Sequence, residues 1–179
     1  MTLRYILFCL VSTVSLCSAQ TAIPTARVLG ISLGTELSVV AQKDIGTWDG
    51  IIGSPSNRQQ GTLRTIGPVT SGPYDAVLTP PEGFKYLGAD LKSLGIYFFP
   101  DDAGVLKVFC VTFELDLPSD SHQDLIALLE KQFGPMTFAN GWGDSGRAIL
   151  LLPPEVALVD IVEQRKAEFW MKRYSALHP

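Results

Sequence analysis

The strongest hydrophobic pattern lies between Leu94 and Leu115. Leu94–Phe99 is an apolar and aromatic run, Asp101-Asp102-Ala103-Gly104 has the composition of a turn, and Val105–Leu115 is apolar in both alternating registers. Alternation predicts Phe109, Val111 and Phe113 on one side of a strand, with Leu106, Val108 and Cys110 on the other. A strand apolar on both faces is covered on both faces. The pair therefore predicts a β-hairpin whose second strand is central. The period then changes. Leu125, Ile126, Leu129 and Phe133 recur at helical spacing, with Ser121 as a cap, Asp124 three positions on, and Gly134-Pro135 as the stop. A second hairpin is predicted from Arg147–Leu152 and Val156–Val162 about Pro153-Pro154-Glu155. A C-terminal helix follows over about Glu163–Ser175, with Ala167, Met171 and Tyr174 on one side and Trp170 and Leu177 adjoining.

The earlier part of the chain is less regular. Ala26–Leu29 suggests a strand. Thr35 precedes Leu37, Val40, Ala41 and Ile45, which share a helical face that Gly46 ends. Thr47–Asp75 is rich in glycine and proline and reads as a poorly patterned sheet edge or a functional loop, with short strands at Leu63–Ile66 and Ala76–Thr79. From Leu94 onward the order is hairpin, helix, hairpin, helix. That order predicts an α+β fold: an antiparallel sheet of two or more hairpins with helices packed mainly on one face.

The first nineteen residues follow a different rule. Arg4 supplies a positive start, Tyr5–Leu16 is apolar, and Cys17-Ser18-Ala19 ends in small residues. This pattern reads as a secretory signal peptide cleaved after Ala19, leaving 20–179 as a single α+β domain. The apolar run falls short of the roughly 20 residues that span a bilayer. The expectation is export with no stable membrane anchor after cleavage. Leu16 before Cys17 and Phe8 before Cys9 disfavour lipidation at either cysteine, where a small preceding residue is usual. Cleavage leaves Cys110 as the lone cysteine. A disulfide-built extracellular scaffold is thereby excluded, and the periplasm is the expected destination, with secretion as the alternative. The chain carries a formal charge of −4, and loss of Arg4 makes it more negative. Neither nucleic acid nor an anionic lipid surface is an expected partner.

Candidate chemistry concentrates at Gly141-Trp142-Gly143-Asp144-Ser145-Gly146. Gly143-Asp144-Ser145-Gly146 resembles the nucleophile loop of chymotrypsin-like serine proteases. That resemblance implies a histidine base and an orienting acid on two β-barrels. Here His122 opens a predicted helix shortly before the serine, His178 is near the end, and Arg147 replaces the family's next glycine, so the machinery is incomplete. The glycines also fit G-x-G-x-x-G, but a strand rather than a helix follows, which removes the dinucleotide reading. Cys110 lies between Phe109 and Val111 and is expected to be an inert core thiol. Two histidines and one cysteine give no metal-ligand spacing, and the ligands of a calcium loop are missing after Asp101-Asp102.

No catalytic residue, cofactor or metal is therefore assigned. Two groups remain as partner-binding candidates, because tryptophan and arginine are enriched at binding hot spots. One is Trp48 with Arg58 and Arg64. The other is Trp142 with Asp144 and Arg147. The expected function is an exported, non-catalytic binding or accessory protein whose partner is another envelope or secreted protein, including a toxin that it neutralises. An envelope hydrolase with a site hidden from sequence, and a small-ligand carrier, remain open.

Overall fold

A computed structural model describes residues 26–43, 47–52, 58–61, 74–118, 122–144 and 146–177, with side chains at 26–43, 80–118, 122–144, 146–170 and 172–173. Residues 1–19, where a signal peptide is expected, the Leu63–Ile66 segment, Arg64, Ser121 and Ser145 lie outside the described residues.

The centre of the fold is a hairpin of β5 (Ala89–Pro100) and β6 (Leu106–Asp116). Asp101 closes it: its Oδ1 accepts the amides of Ala103 and Val105, each at 2.9 Å, while Lys107 Nζ lies 2.8 Å from Oδ2. These bonds hold the Asp101 carboxyl below its ordinary range, the Lys107 hydrogen bond being the largest cause. On one side β6 pairs with β9 (Glu155–Asp160), which pairs with β8 (Arg147–Leu152), which pairs with β7 (Gly141–Gly143). On the other side β5 pairs with β3 (Tyr74–Thr79), then β1 (Thr47–Ile52), then β2 (Arg58–Gly61). The two-residue β4 (Lys85–Tyr86) pairs with the start of β5. Every pairing is antiparallel, and the nine strands form one sheet.

The fold class is α+β on an antiparallel sheet, as the patterning predicts. The order of hairpin, α2 (His122–Phe133), hairpin and α3 (Ile161–Leu177) is also present, with β7 inserted. The placement of helices mainly on one face is corrected. Leu125 and Leu129 of α2 join Leu94, Ile96, Phe98, Val111 and Phe113 in one core, which also holds Val28, Ile31 and Val40 from the N-terminal segment. Ala167 of α3 joins Phe109, Cys110, Ala148, Ala157 and Val159 in another. Successive strand residues point to opposite faces, and Ala157 and Leu158 fall in different cores. The two helices therefore cover opposite faces of the sheet.

A β-bulge accounts for a second difference. Tyr97 pairs with Cys110 and Phe98 with Val108, so Phe109 has no partner on β5. One extra residue inverts the alternation beyond it. Leu106 and Val108 consequently share a face with Val111 and Phe113, and Phe109 and Cys110 both face the α3 side.

The irregular 47–75 segment contributes β1, β2 and the start of β3, which makes it a sheet edge. The short helix near residue 37 is a single turn, α1 (Leu37–Val40), preceded by Glu36 with no side-chain cap. Thr35 turns instead toward Ser32, whose amide it accepts at 3.3 Å. The N-terminal segment lies along β6 through Gly34 N to Val108 O at 2.7 Å and Val108 N to Thr35 O at 2.9 Å. Among the described residues no helix is long and apolar enough to cross a membrane.

Candidate functional site

The glycine-rich loop is organised by its own backbone. A side chain at Gly141 would strike the carbonyl of Ile149, and one at Gly143 (φ +146°) would strike that of Arg147. Both glycines therefore allow β7 to lie against β8. Between them Trp142 is 2 % exposed. Its ring meets Phe133 at a centroid distance of 6.1 Å, and Nε1 donates to the Gly134 carbonyl at 2.6 Å. Trp142 thus anchors the C-terminal end of α2 to the sheet edge. The expectation that it meets a partner is corrected, since a contact residue must reach the surface.

Asp144 is exposed but engaged locally. Its Oδ1 accepts the amides of Gly146 at 2.7 Å and Arg147 at 2.9 Å. These backbone bonds, that of Arg147 first, hold its carboxyl below the ordinary range. A carboxylate held charged by its own turn is a poor proton acceptor at neutral pH. The G-x-G-x-x-G glycines lead into β8, so the helix that opens directly after the third glycine in dinucleotide folds is replaced by a strand. Cys110 is buried, and burial pushes its thiol up to about 12. It stays protonated at neutral pH, without the thiolate that nucleophilic attack needs. His122 opens α2 and is exposed. Among the described residues no group of three or more His, Cys, Asp or Glu is placed to hold a metal ion.

The sheet separates the two candidate groups. Trp48 stands on β1 and Arg58 on the edge strand β2, whereas Trp142 and Arg147 stand on β7 and β8 at the opposite end of the strand order. The second group adjoins α3. Ile161 N donates to Gly146 O at 2.9 Å. Asp160 caps the helix, with Oδ1 accepting Val162 N and Glu163 N at 3.1 Å each, while Oδ2 lies 3.8 Å from Arg147 Nε.

From that junction α3 presents an outward face that the sequence reading missed. Phe169 is 69 % exposed and Val162 is 51 % exposed. Arg165, Lys166, Lys172 and Arg173 are exposed around them. Beside the helix a groove of about 440 Å³ is lined by Phe99, Arg165, Lys166, Phe169, Trp170 and Arg173. Lys166 is engaged within its own helix: Nζ lies 2.7 Å from Glu163 Oε1, and this bond, followed by the charges of Glu163, Asp102 and Asp160, raises its affinity for a proton. The available signal was Phe169 itself. It falls off the helical stripe that carries Gln164 and Ala167 into the fold and lies between two pairs of cations seven residues apart.

No family model, curated protein or solved structure matches the chain.

Proposed function

We propose that the chain is an exported, non-catalytic binding protein of the bacterial envelope that meets another envelope or secreted protein, including a toxin that it neutralises. One observation carries the reading: the large aromatic Phe169 is 69 % exposed among four cations of α3. Arginine and aromatic side chains together are the usual anchors of protein interfaces. The residues that tempt a catalytic reading have structural roles by contrast. Asp144 holds its turn, Trp142 fills the core and Cys110 stays protonated.

The contact surface runs from Asp144 and Arg147 along the outward face of α3, past Val162 to Phe169. Trp48, Arg58 and Arg64 remain the other group of sequence candidates. The expected test is photo-crosslinking in the native envelope, with a photoreactive amino acid in place of Phe169 or Arg147. Protein adducts are expected at both positions, and the Phe169 adduct should disappear on Arg173→Glu. Absence of any adduct overturns the reading. A hydrolytic activity of the wild type that Ser145→Ala abolishes overturns its non-catalytic part.

A further inference from the structure

We propose that the groove beside α3 docks an extended acidic segment of a partner protein, with carboxylates opposite Arg165 and Arg173 and an apolar side chain seated between Phe99, Phe169 and Trp170. This rests on the binding reading above and names the chemistry of the partner.

Charge is the first argument. The whole chain carries −4, yet Ile161–Leu177 holds four cations against two carboxylates. Glu163 is taken by Lys166, and Glu168 accepts the Gln164 side-chain amide at 3.1 Å. Among the described residues Arg165 and Arg173 make no ion pair, so both guanidinium groups are available for bidentate carboxylate bonds. Shape is the second. A groove of about 440 Å³ with an aromatic wall accepts one apolar side chain with its neighbours.

Spacing is the third. Arg165 and Arg173 stand eight residues apart on one helix, roughly 12 Å at about 1.5 Å per residue. An extended chain covers that distance in about four residues at about 3.3 Å each, and its alternate side chains share one face. Carboxylates at i and i+4 therefore meet the two arginines, and the residue at i+2 faces the aromatic wall. An anionic bilayer fits less well. Lys166 has Asp102, Asp160 and Glu163 as neighbours in charge, so a plane laid along the helix would press these carboxylates against lipid phosphate. A narrow segment avoids them.

The experiment uses a phage-displayed random nonapeptide library selected on the mature chain, followed by affinity measurement of the selected peptides. The expected winners carry Asp or Glu at i and i+4 with an apolar residue at i+2. Their affinity should fall by about tenfold or more in Phe169→Ser and in Arg173→Glu, with the melting temperature unchanged. A lysine at the carboxylate position opposite residue 173 should restore binding to Arg173→Glu. Winners without the acidic spacing, winners insensitive to both substitutions, or no enrichment overturn the proposal. Binding to phosphatidylglycerol vesicles with the same sensitivity to both substitutions, without peptide enrichment, assigns the face to lipid and also overturns it. A Phe169 crosslink to a protein beside a failed selection leaves the binding reading standing. Loss of both overturns both.

Discussion

A thiol in the core beneath α3 shows how position decides chemistry. Cys110 lies on β6 with Ala148, Ala157, Val159 and Ala167 in the α3-side core, and burial raises it from 9.0 to about 12. The unfolded chain ionises near the lower value, so above about pH 9 it binds fewer protons than the folded chain. Stability attributable to this group is thus intact below pH 9 and falls as pH rises toward 12, by up to about 1.4 kcal/mol per pH unit. Tyr86, also pushed up to about 12 by burial, adds to the loss from about pH 10. Urea unfolding of wild type and Cys110→Ala at about pH 8.5 and about pH 10 separates the two groups. The wild type is expected to lose more stability over that interval; equal losses would refute the shift. At neutral pH the thiol should resist a disulfide reagent until denaturant is added.

At the scale of elements, the β5–β6 hairpin accommodates one extra residue. Phe109 has no partner on β5, and its ring packs edge-on against Tyr97 and Phe99 at 6.3 and 6.5 Å. Removing it would return the strand to simple alternation with Val108 still opposite Phe98 and Cys110 still opposite Tyr97, so every other residue keeps its face. Deletion of Phe109 is therefore expected to keep the register and to cost the ring contacts with Tyr97 and Phe99, much as Phe109→Ala does. Circular dichroism and thermal melts compare the two; a deletion variant that fails to fold while Phe109→Ala folds would refute this. The same strand pair carries a second register shift between Leu91 and Ser93, where Lys92 stands. Its Nζ reaches the buried Glu114 at 2.6 Å, across from which Glu155 pairs on β9. A cation here offsets two carboxylates on neighbouring strands.

For the whole molecule, one sheet separates two cores that differ in kind. The α2 side is built from large residues such as Phe98, Phe113 and Leu129, and the α3 side rests on Ala148, Ala157 and Ala167. Small residues bring α3 close to the strands, so that layer has little room. Ala157→Leu is expected to cost about 1–3 kcal/mol by overpacking. Amide exchange should quicken in α3 before α2, because the cores lie on opposite faces; equal loosening of both helices would contradict two separable layers. The sequence by itself determined the central hairpin, the types of α2, β8, β9 and α3, the antiparallel α+β class and the burial of Cys110, because these follow from local periodicity. It also placed turn chemistry at Asp101, since a short carboxylate bonds its own following amides; the same role of Asp144 came only from the structure. Only the tertiary structure decided the rest. Whether a strand forms from Arg58–Gly61 depends on a distant partner in β1, not on its own polar residues. Whether Trp142 faces solvent depends on how closely flanking glycines let β7 approach β8. Which face each helix covers turns on the sheet between them, and that left Phe169 rather than Trp142 at the surface.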